Sequence, residues 1–446
     1  MSRDTQAEVQ STKYEVRSTE YDGVQRTETG ERAGTRRPRV HQILATLGYG
    51  DAIGNEVLGI NRALRAAGYE SEIIVETADP RLEDLTVDFR DIVDEVTADD
   101  LLIHHFSLGS RASRTAFALP ARMLLIYHNI TPPEYFIGVH DQLVRQCYHG
   151  RRELLPYRSR CQLALGDSEF NRAELEALGF PRTDVLPVVP DFTHLEIPAD
   201  VRVLDAYDDD RTNVLFVGRV IPNKRPDNVI RFFHAYTRLY DPGSRLLIAG
   251  SYGGFEAYVT SLHALVGALG TEDVHILGQV TNEELTALYD VADVFLCASE
   301  HEGFCVPLIE SFYKRLPVIA LAATAVPATM DGGGVLYDRP DPRHVASLIH
   351  RIVSDPRHEE EVLRTQDAAL ERLLAKDFPA MVRGFVRQAL DAPRAAVPSV
   401  AADFWRQYEL VQELDAIHES RPAAFRALPI APEEQGPVAD LSDRRR

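Results

Sequence analysis

The stretch DVFLCASEHEGFCVPLIES, residues 293–311, decides how the rest of the chain is read. It opens on a short apolar run, DVFLCAS, turns at Gly303, and continues as PLIESFYKR with apolar residues at helical spacing. An apolar strand, a glycine turn and an amphipathic helix make one βα unit of a parallel sheet. Pro307 suits the first helical position, where its missing N–H is no loss. The turn starts at a glycine and carries Cys305 and Val306, so its backbone N–H groups can approach a ligand. Those groups and the helix dipole favour an anion, and a diphosphate suits them. Glu302 then lies in the loop and Glu310 about one turn into the helix. Beside a phosphate, two acceptor-only groups read as grips on hydroxyls, a sugar for one and a ribose for the other. A catalytic dyad is the less economical reading.

Units of the same kind fill most of the chain. From Val40, the apolar runs VHQILATL, SEIIVE, DLLIHHF, RMLLIYH and QLALGDS alternate with the helical stretches NEVLGINRALRAAG and NRAELEALG. After an Asp-rich stretch, LDAYDDDRT, expected to be irregular, a second series begins: NVLFVGRV, SRLLIAG, DVHILGQV, DVFLCAS and LPVIAL, then a helix around HVASLIHRIV. The alternation predicts an α/β protein with two parallel-sheet domains, residues 39–200 and 201–390, joined near residues 195–211. Residues 1–38 are polar with mixed charge and are expected to be a disordered arm. Residues 391–446 are expected to form a helical or loose tail, with a helix near residues 403–419.

Composition sets outer bounds. The chain has 446 residues, 45% apolar and 26% charged, with a formal charge of -20. Such a field disfavours nucleic acid and an anionic membrane surface, so neither nucleic acid nor a membrane span is expected as a partner. Cys147, Cys161, Cys297 and Cys305 show no CxxC pair or metal-ligand spacing and read as reduced thiols. The N-terminus has no apolar signal-peptide core, and the longest apolar run, from Val318 to Met330, is too short to span a bilayer. The expected location is the cytoplasm, with peripheral association at the inner face of a membrane left open.

Open parallel sheets bind ligands beyond the carboxyl ends of their strands. In the first domain that rule selects the loop 48–54, His104, His105, His128 and Asp167-Ser168. In the second it selects Gly218, Arg219 and Lys224, Gly250-Ser251, and the opening stretch. Two sheets presenting such residues would enclose one cleft. Lysine is rare, with only Lys13, Lys224, Lys314 and Lys376. Arg219 and Lys224 could bracket a diphosphate and offset charge on it as it leaves; a solvated loop is the alternative.

The second series resembles the donor half of the family-4 retaining glycosyltransferases. The matching pieces are FVGRVIPNK, LLIAG, LGQVTNEEL, ADVFLCASEHEGFCVPLIES and LPVIA, with Glu302 and Glu310 on the family's E-x7-E signature. The resemblance covers roughly residues 40–385. It implies the GT-B fold, two Rossmann-like parallel-sheet domains facing each other across a cleft, with the acceptor side in the first and the nucleotide-sugar donor in the second. It also implies transfer from a nucleoside-diphosphate sugar (GDP-mannose or a UDP-sugar) to a hydroxyl of a glycan, lipid-linked or small-molecule acceptor, as in cell-surface polysaccharide synthesis. By the same resemblance the transfer retains anomeric configuration and needs no obligatory cofactor or metal. Glu302 would contact the sugar, Glu310 the ribose, Arg219 and Lys224 the diphosphate, and the backbone around Val280 the base. The turn Gly303, Phe304, Cys305 and Val306, with Gly218, would line the donor. In the first domain the family's glycine loop corresponds to GYGDAIGNE with Gly50 and Asp51, and its strand-end histidine to His128, which by the resemblance would be catalytic, acting beside the donor sugar by hydrogen bonding to it or by helping the incoming acceptor hydroxyl. The alternative for His128 is a structural histidine bonded to the following loop.

The chain departs from the family at three positions. Arg315 and Cys305 replace glycines, and Ala328 stands where an acidic residue is usual. Arg315 is expected to alter donor fit. Two rival functions follow: a catalytically weak homologue serving as a glycan-binding subunit, and a dinucleotide-dependent oxidoreductase using residues 48–54 with Glu76 as the ribose acid. Asp208-Asp209-Asp210 reads as a solvated charge run rather than a metal motif.

Overall fold

The computed structural model describes residues 38–188 and 191–395. The expected arm up to residue 37, and the tail beyond residue 395 with its helix near residues 403–419, lie outside the described residues. Two all-parallel sheets organise what is described. The first contains β1 (Val40–Leu47), β2 (Ile73–Ala78), β3 (Thr86–Asp88), β4 (Leu101–Phe106), β5 (Arg122–Tyr127), β6 (Leu163–Gly166) and β7 (Thr183–Val185), in the order β3-β2-β1-β4-β5-β6-β7. The second contains β8 (Asn213–Val217), β9 (Arg245–Ala249), β10 (Val274–Gly278), β11 (Val294–Cys297), β12 (Val318–Leu321) and β13 (Val335–Tyr337), in the order β10-β9-β8-β11-β12-β13. The expected pair of parallel α/β sheets is present.

The central strands are mainly apolar because both faces of each sheet are covered. Along β5, Met123, Leu125 and Tyr127 join one core while Leu124 and Ile126 join another, the two-residue period of an extended chain. Along β8 and β9, Val214, Phe216, Leu246 and Ile248 face one way, and Leu215, Leu247 and Ala249 the other. Each sheet reverses its strand order once, between β1 and β4 and between β8 and β11. Those switch points open a crevice at the carboxyl edge.

Three details differ from the sequence reading. The Asp-rich stretch is partly helical: Val201–Tyr207 is a helix whose start is capped by Asp200, which accepts from the N–H groups of Arg202 and Val203. Pro307 is the second helical residue, since the helix begins at Val306. The last described helix, Phe378–Asp391, leaves the second sheet and returns to the first. There Val382, Phe385, Val386 and Ala389 share a core with Val40, Ile60, Leu101 and Ile126. Its amphipathic period shows which face is buried but not against which sheet, so sequence placed it with residues 201–390.

Candidate active site

The second sheet's switch point gathers the charged residues. β8 runs out into Gly218 and Arg219 and the short turn Pro222–Lys224; β11 runs out into residues 298–305. Lys224 Nζ lies 2.6 Å from Glu302 Oε1. Asn223 pins the two loops together, donating from Nδ2 to the His301 carbonyl at 3.0 Å and accepting from the Glu300 N–H at 2.9 Å. The Glu302 N–H donates to Thr324 Oγ1 at 2.9 Å. Burial works against the charge on Lys224, but the Glu302 carboxylate outweighs it and holds the ammonium firmly protonated. Gly250 must be glycine here: a Cβ would lie 1.9 Å from the Gly218 carbonyl oxygen. Arg219 is exposed, its guanidinium 5.9 Å from the Phe255 ring centre, and among the described residues no carboxylate pairs with it.

The turn of the opening stretch continues this surface. The helix Val306–Tyr313 starts behind Cys305, which has a left-handed backbone (φ 78) and offers no side-chain cap. The first N–H groups of that helix therefore lack the usual capping side chain. The φ of Cys305 explains why glycine is the common residue, and its thiol is buried in the same core as Cys297. Phe304 and Val280 pack against the same core. Glu310 is already engaged: Oε1 faces His194 Nε2 at 3.0 Å and Oε2 accepts from the Tyr289 hydroxyl at 2.9 Å. The Glu310 hydrogen bond raises the pKa of His194.

Arg315 does not reach this surface. It sits just past the helix in a left-handed conformation (φ 51), and its side chain pairs with Asp367 and Glu360 on the helix Pro356–Leu374. The glycine usual at this place serves the helix end, not a close approach to the donor. Ala328 is in the short helix Val326–Met330.

The first domain presents a different picture. Asp51 caps the helix Ala52–Ala66, its Oδ1 accepting from the Gly54 N–H at 2.6 Å, with Gly50 in a left-handed conformation just before it. His128 follows β5 with its ring buried. Its Nδ1 is 3.0 Å from Asp167 Oδ2 and 3.7 Å from Glu56 Oε2, and its Nε2 is 2.9 Å from His105 Nδ1. His105 continues to Gln42 Oε1 at 2.9 Å. Burial opposes a charge on His128, but Asp167 and Glu56 outweigh it and push its pKa up to about 9. Burial, reinforced by Asp167, pushes Glu56 up to about 8. His104 packs structurally between Phe106 and Tyr157, and burial lowers it to about 4. Glu76 closes the start of the helix Arg111–Ala118 by accepting from the Arg111 and Ala112 N–H groups, which leaves it no ribose to hold.

The two halves meet at Gly303. A Cβ there would come within 2.9 Å of Asn129 Cβ and 3.2 Å of the His128 carbonyl oxygen. The peptide carbonyl of His128, and not its ring, faces the donor turn. Tyr135 and Phe170 of the first domain pack against His301. The structure thus brings Lys224, Glu302, Gly303 and the His128 backbone together, with Gly218 against the Lys224 stem and Arg219 next to it in sequence, facing Phe255. Among the described residues no hydrogen bond or ion pair joins Gly50 or Val280 to that group. Sequence reasoning missed Glu56, Gln42, His194, Tyr289 and Thr324. Glu56 could have been suspected as the first carboxylate after the glycine loop; the rest carry no local signal.

Residues 202–369 match the family described as glycosyl transferases group 1. The chain is 32% identical over 152 residues to a D-inositol 3-phosphate glycosyltransferase of Streptomyces bingchenggensis, covering 32% of this chain and 33% of that protein. It spans less than half the length of the curated relatives it matches. Among solved structures, a sucrose-phosphate synthase from Thermosynechococcus elongatus aligns over 79% of this chain and 99% of its own, with a TM-score of 0.60 at 18% identity. Anabaena Alr3699/HepE in complex with UDP and glucose aligns over the same shares with a TM-score of 0.61 at 16% identity. These likenesses, with the two sheets above, show the GT-B fold. Among the described residues no helix is long and apolar enough to cross a membrane.

Proposed function

We propose that this chain transfers a sugar from a nucleoside-diphosphate donor to a hydroxyl of an acceptor, with retention of configuration. One observation carries the reading. At the second sheet's switch point Lys224 pairs with Glu302 close to Cys305, behind which a helix starts with no side-chain cap, and Arg219 at the end of β8 has no carboxylate partner among the described residues. That arrangement supplies positive charge for a diphosphate and a carboxylate for sugar hydroxyls.

On donor binding, Arg219 and Lys224 take the diphosphate oxygens, and Glu302 is released to accept from the sugar. The bond between the anomeric carbon and the diphosphate oxygen breaks, its electron pair staying on the diphosphate. The acceptor oxygen bonds to the same face of the sugar, and its proton passes to the departing phosphate oxygen. Fixed positive charge at the leaving group lowers the barrier without reorganisation, and no divalent ion is needed for this step. Glu310 takes the ribose by exchanging His194, which is a quarter exposed, for a ribose hydroxyl. Gly50 and Asp51 close the cleft opposite, and the backbone of Val280 borders the base.

The similar proteins support finer assignments. Solved neighbours hold UDP with glucose or UDP-2-fluoro glucose, which favours a UDP-sugar over GDP-mannose, and the name of the D-inositol 3-phosphate glycosyltransferases favours a phosphorylated polyol as acceptor. Calorimetry with UDP, GDP and ADP in metal-free buffer tests the reading. UDP is expected to bind selectively, with binding lost in Glu310→Ala. If UDP binds but no sugar donor turns over with any polyol or glycan acceptor, the weak-homologue reading replaces this one. If none of the three nucleotides binds, the donor assignment fails.

A further inference from the structure

Behind the donor turn, three side chains converge on one point. Glu56, His128 and Asp167 each offer a ligand atom, all within 4.8 Å of one another. They come from the helix after β1, the end of β5 and the end of β6, so the cluster ties three parts of the first sheet's carboxyl edge. All three side chains are at least nine-tenths buried.

The surrounding hydrogen bonds fix which atoms face inward. The Gln42 amide donates from Nε2 to the Val57 carbonyl at 3.0 Å, so its Oε1 is an acceptor toward His105 Nε2. His105 Nε2 must then carry a proton, which leaves its Nδ1 bare in the neutral ring. That bare nitrogen accepts from His128 Nε2–H at 2.9 Å. The tautomer of His128 is thereby set, with Nδ1 and its lone pair directed at two carboxylates. A ring held by a hydrogen bond on its far nitrogen is the usual state of a metal-binding histidine.

Among the described residues nothing completes the cluster. Both oxygens of Glu56 and Oδ1 of Asp167 are buried without a hydrogen-bond partner. A proton on His128 Nδ1 satisfies Asp167 Oδ2 at 3.0 Å, but Glu56 at 3.7 Å is too far to share it. A buried carboxyl group without a partner is costly, and a divalent cation would satisfy all three groups at once.

We propose that Glu56, His128 and Asp167 bind a divalent transition-metal ion, Zn2+ being the best match to one imidazole and two carboxylates. The site is distinct from the diphosphate site and does not depend on the transferase reading. Asp167 also lines a cavity of about 270 Å3 with Ser168, Phe304 and Lys376, which gives an ion a route in. The ion would clamp the helix Ala52–Ala66 to the end of β5, whose next carbonyl supports Gly303.

The test uses the full chain, stripped with chelator and titrated by calorimetry with Zn2+. One equivalent is expected to bind, with affinity at least tenfold weaker in Glu56→Gln. Gln42→Leu, which removes the support of the relay but no ligand, is expected to weaken binding about 10–100-fold. Co2+ in place of Zn2+ is expected to give visible absorption bands from the wild type that Glu56→Gln loses. Circular dichroism of both variants checks that they fold. Absence of a stoichiometric Zn2+ or Co2+ complex in the wild type overturns the proposal and leaves the cluster to a proton alone. So does a folded Glu56→Gln that binds as the wild type does.

Discussion

The chain builds a glycine turn into a helix twice, at residues 48–54 over the first sheet and at residues 303–306 over the second. In the first, the glycines serve the loop itself. A Cβ on Gly48 would strike the Asp51 carboxylate at 1.9 Å, and one on Gly54 the Gly48 carbonyl at 2.1 Å. The Asp51 carboxylate then fills the helix start, 2.6 Å from the Gly54 N–H. In the second, Gly303 makes room for the other domain, and the helix start has no side-chain cap. One turn carries its own anion and the other leaves the place open for one. Similar sequence texture therefore yields a structural cap in one sheet and a candidate phosphate site in the other.

Four substitutions would break or sharpen that contrast. The largest effect is expected at Glu302→Ala, which removes a preorganised site group and should lower kcat by about 10²–10³-fold, or roughly 3–4 kcal/mol of barrier. Steady-state rates with a UDP-sugar measure it, and full activity would remove the second turn from catalysis. Next, Arg219→Ala deletes a charge-assisted contact worth about 1.5–3 kcal/mol, so UDP affinity should fall about 10–100-fold by calorimetry. Asp51→Ala should cost about 1 kcal/mol of stability through the lost cap, seen as a lower Tm. A loss of UDP affinity as large as that of Arg219→Ala would instead make the first turn a second phosphate contact. The smallest effect is expected at Arg315→Gly. Relief of a left-handed residue, about 1 kcal/mol, is partly offset by loss of the exposed pair with Asp367. Chemical denaturation should show a slight gain, with UDP affinity unchanged.

Much of the fold was legible because buried parallel strands are continuous apolar runs. β1 is the whole of VHQILATL, and the other long runs fall within a residue or two of their strands. The three-residue strands β3, β7 and β13 are too short to show a period, and sequence gave no sign of them. Glu302 and Lys224 were readable because strand-end loops concentrate chemistry, and the structure places them in contact. The partners of Glu310 were not: His194 lies 116 positions away, in a linker without pattern. The ring of His128 shows the same limit. Its position after β5 was visible, but its direction is set by Asp167 and His105, each brought close only by the finished sheet. Arg315 was visible as a departure, yet its reason, a left-handed helix end, belongs to the backbone.

The returning helix Phe378–Asp391 has a consequence for the order in which the protein matures during synthesis. The first sheet ends at β7, but one of its faces, partly covered by the helix Ala52–Ala66, is completed by Val382, Phe385, Val386 and Ala389. At about 5–20 residues per second, the roughly 200 residues from Val185 to Asp391 take about 10–40 s to leave the ribosome. Through that interval Ile60, Leu64, Leu124 and Ile126 wait without their cover while the second sheet assembles. The half made first is thus the half completed last, and a nascent chain stalled before residue 378 would present an apolar face to whatever chaperone meets it.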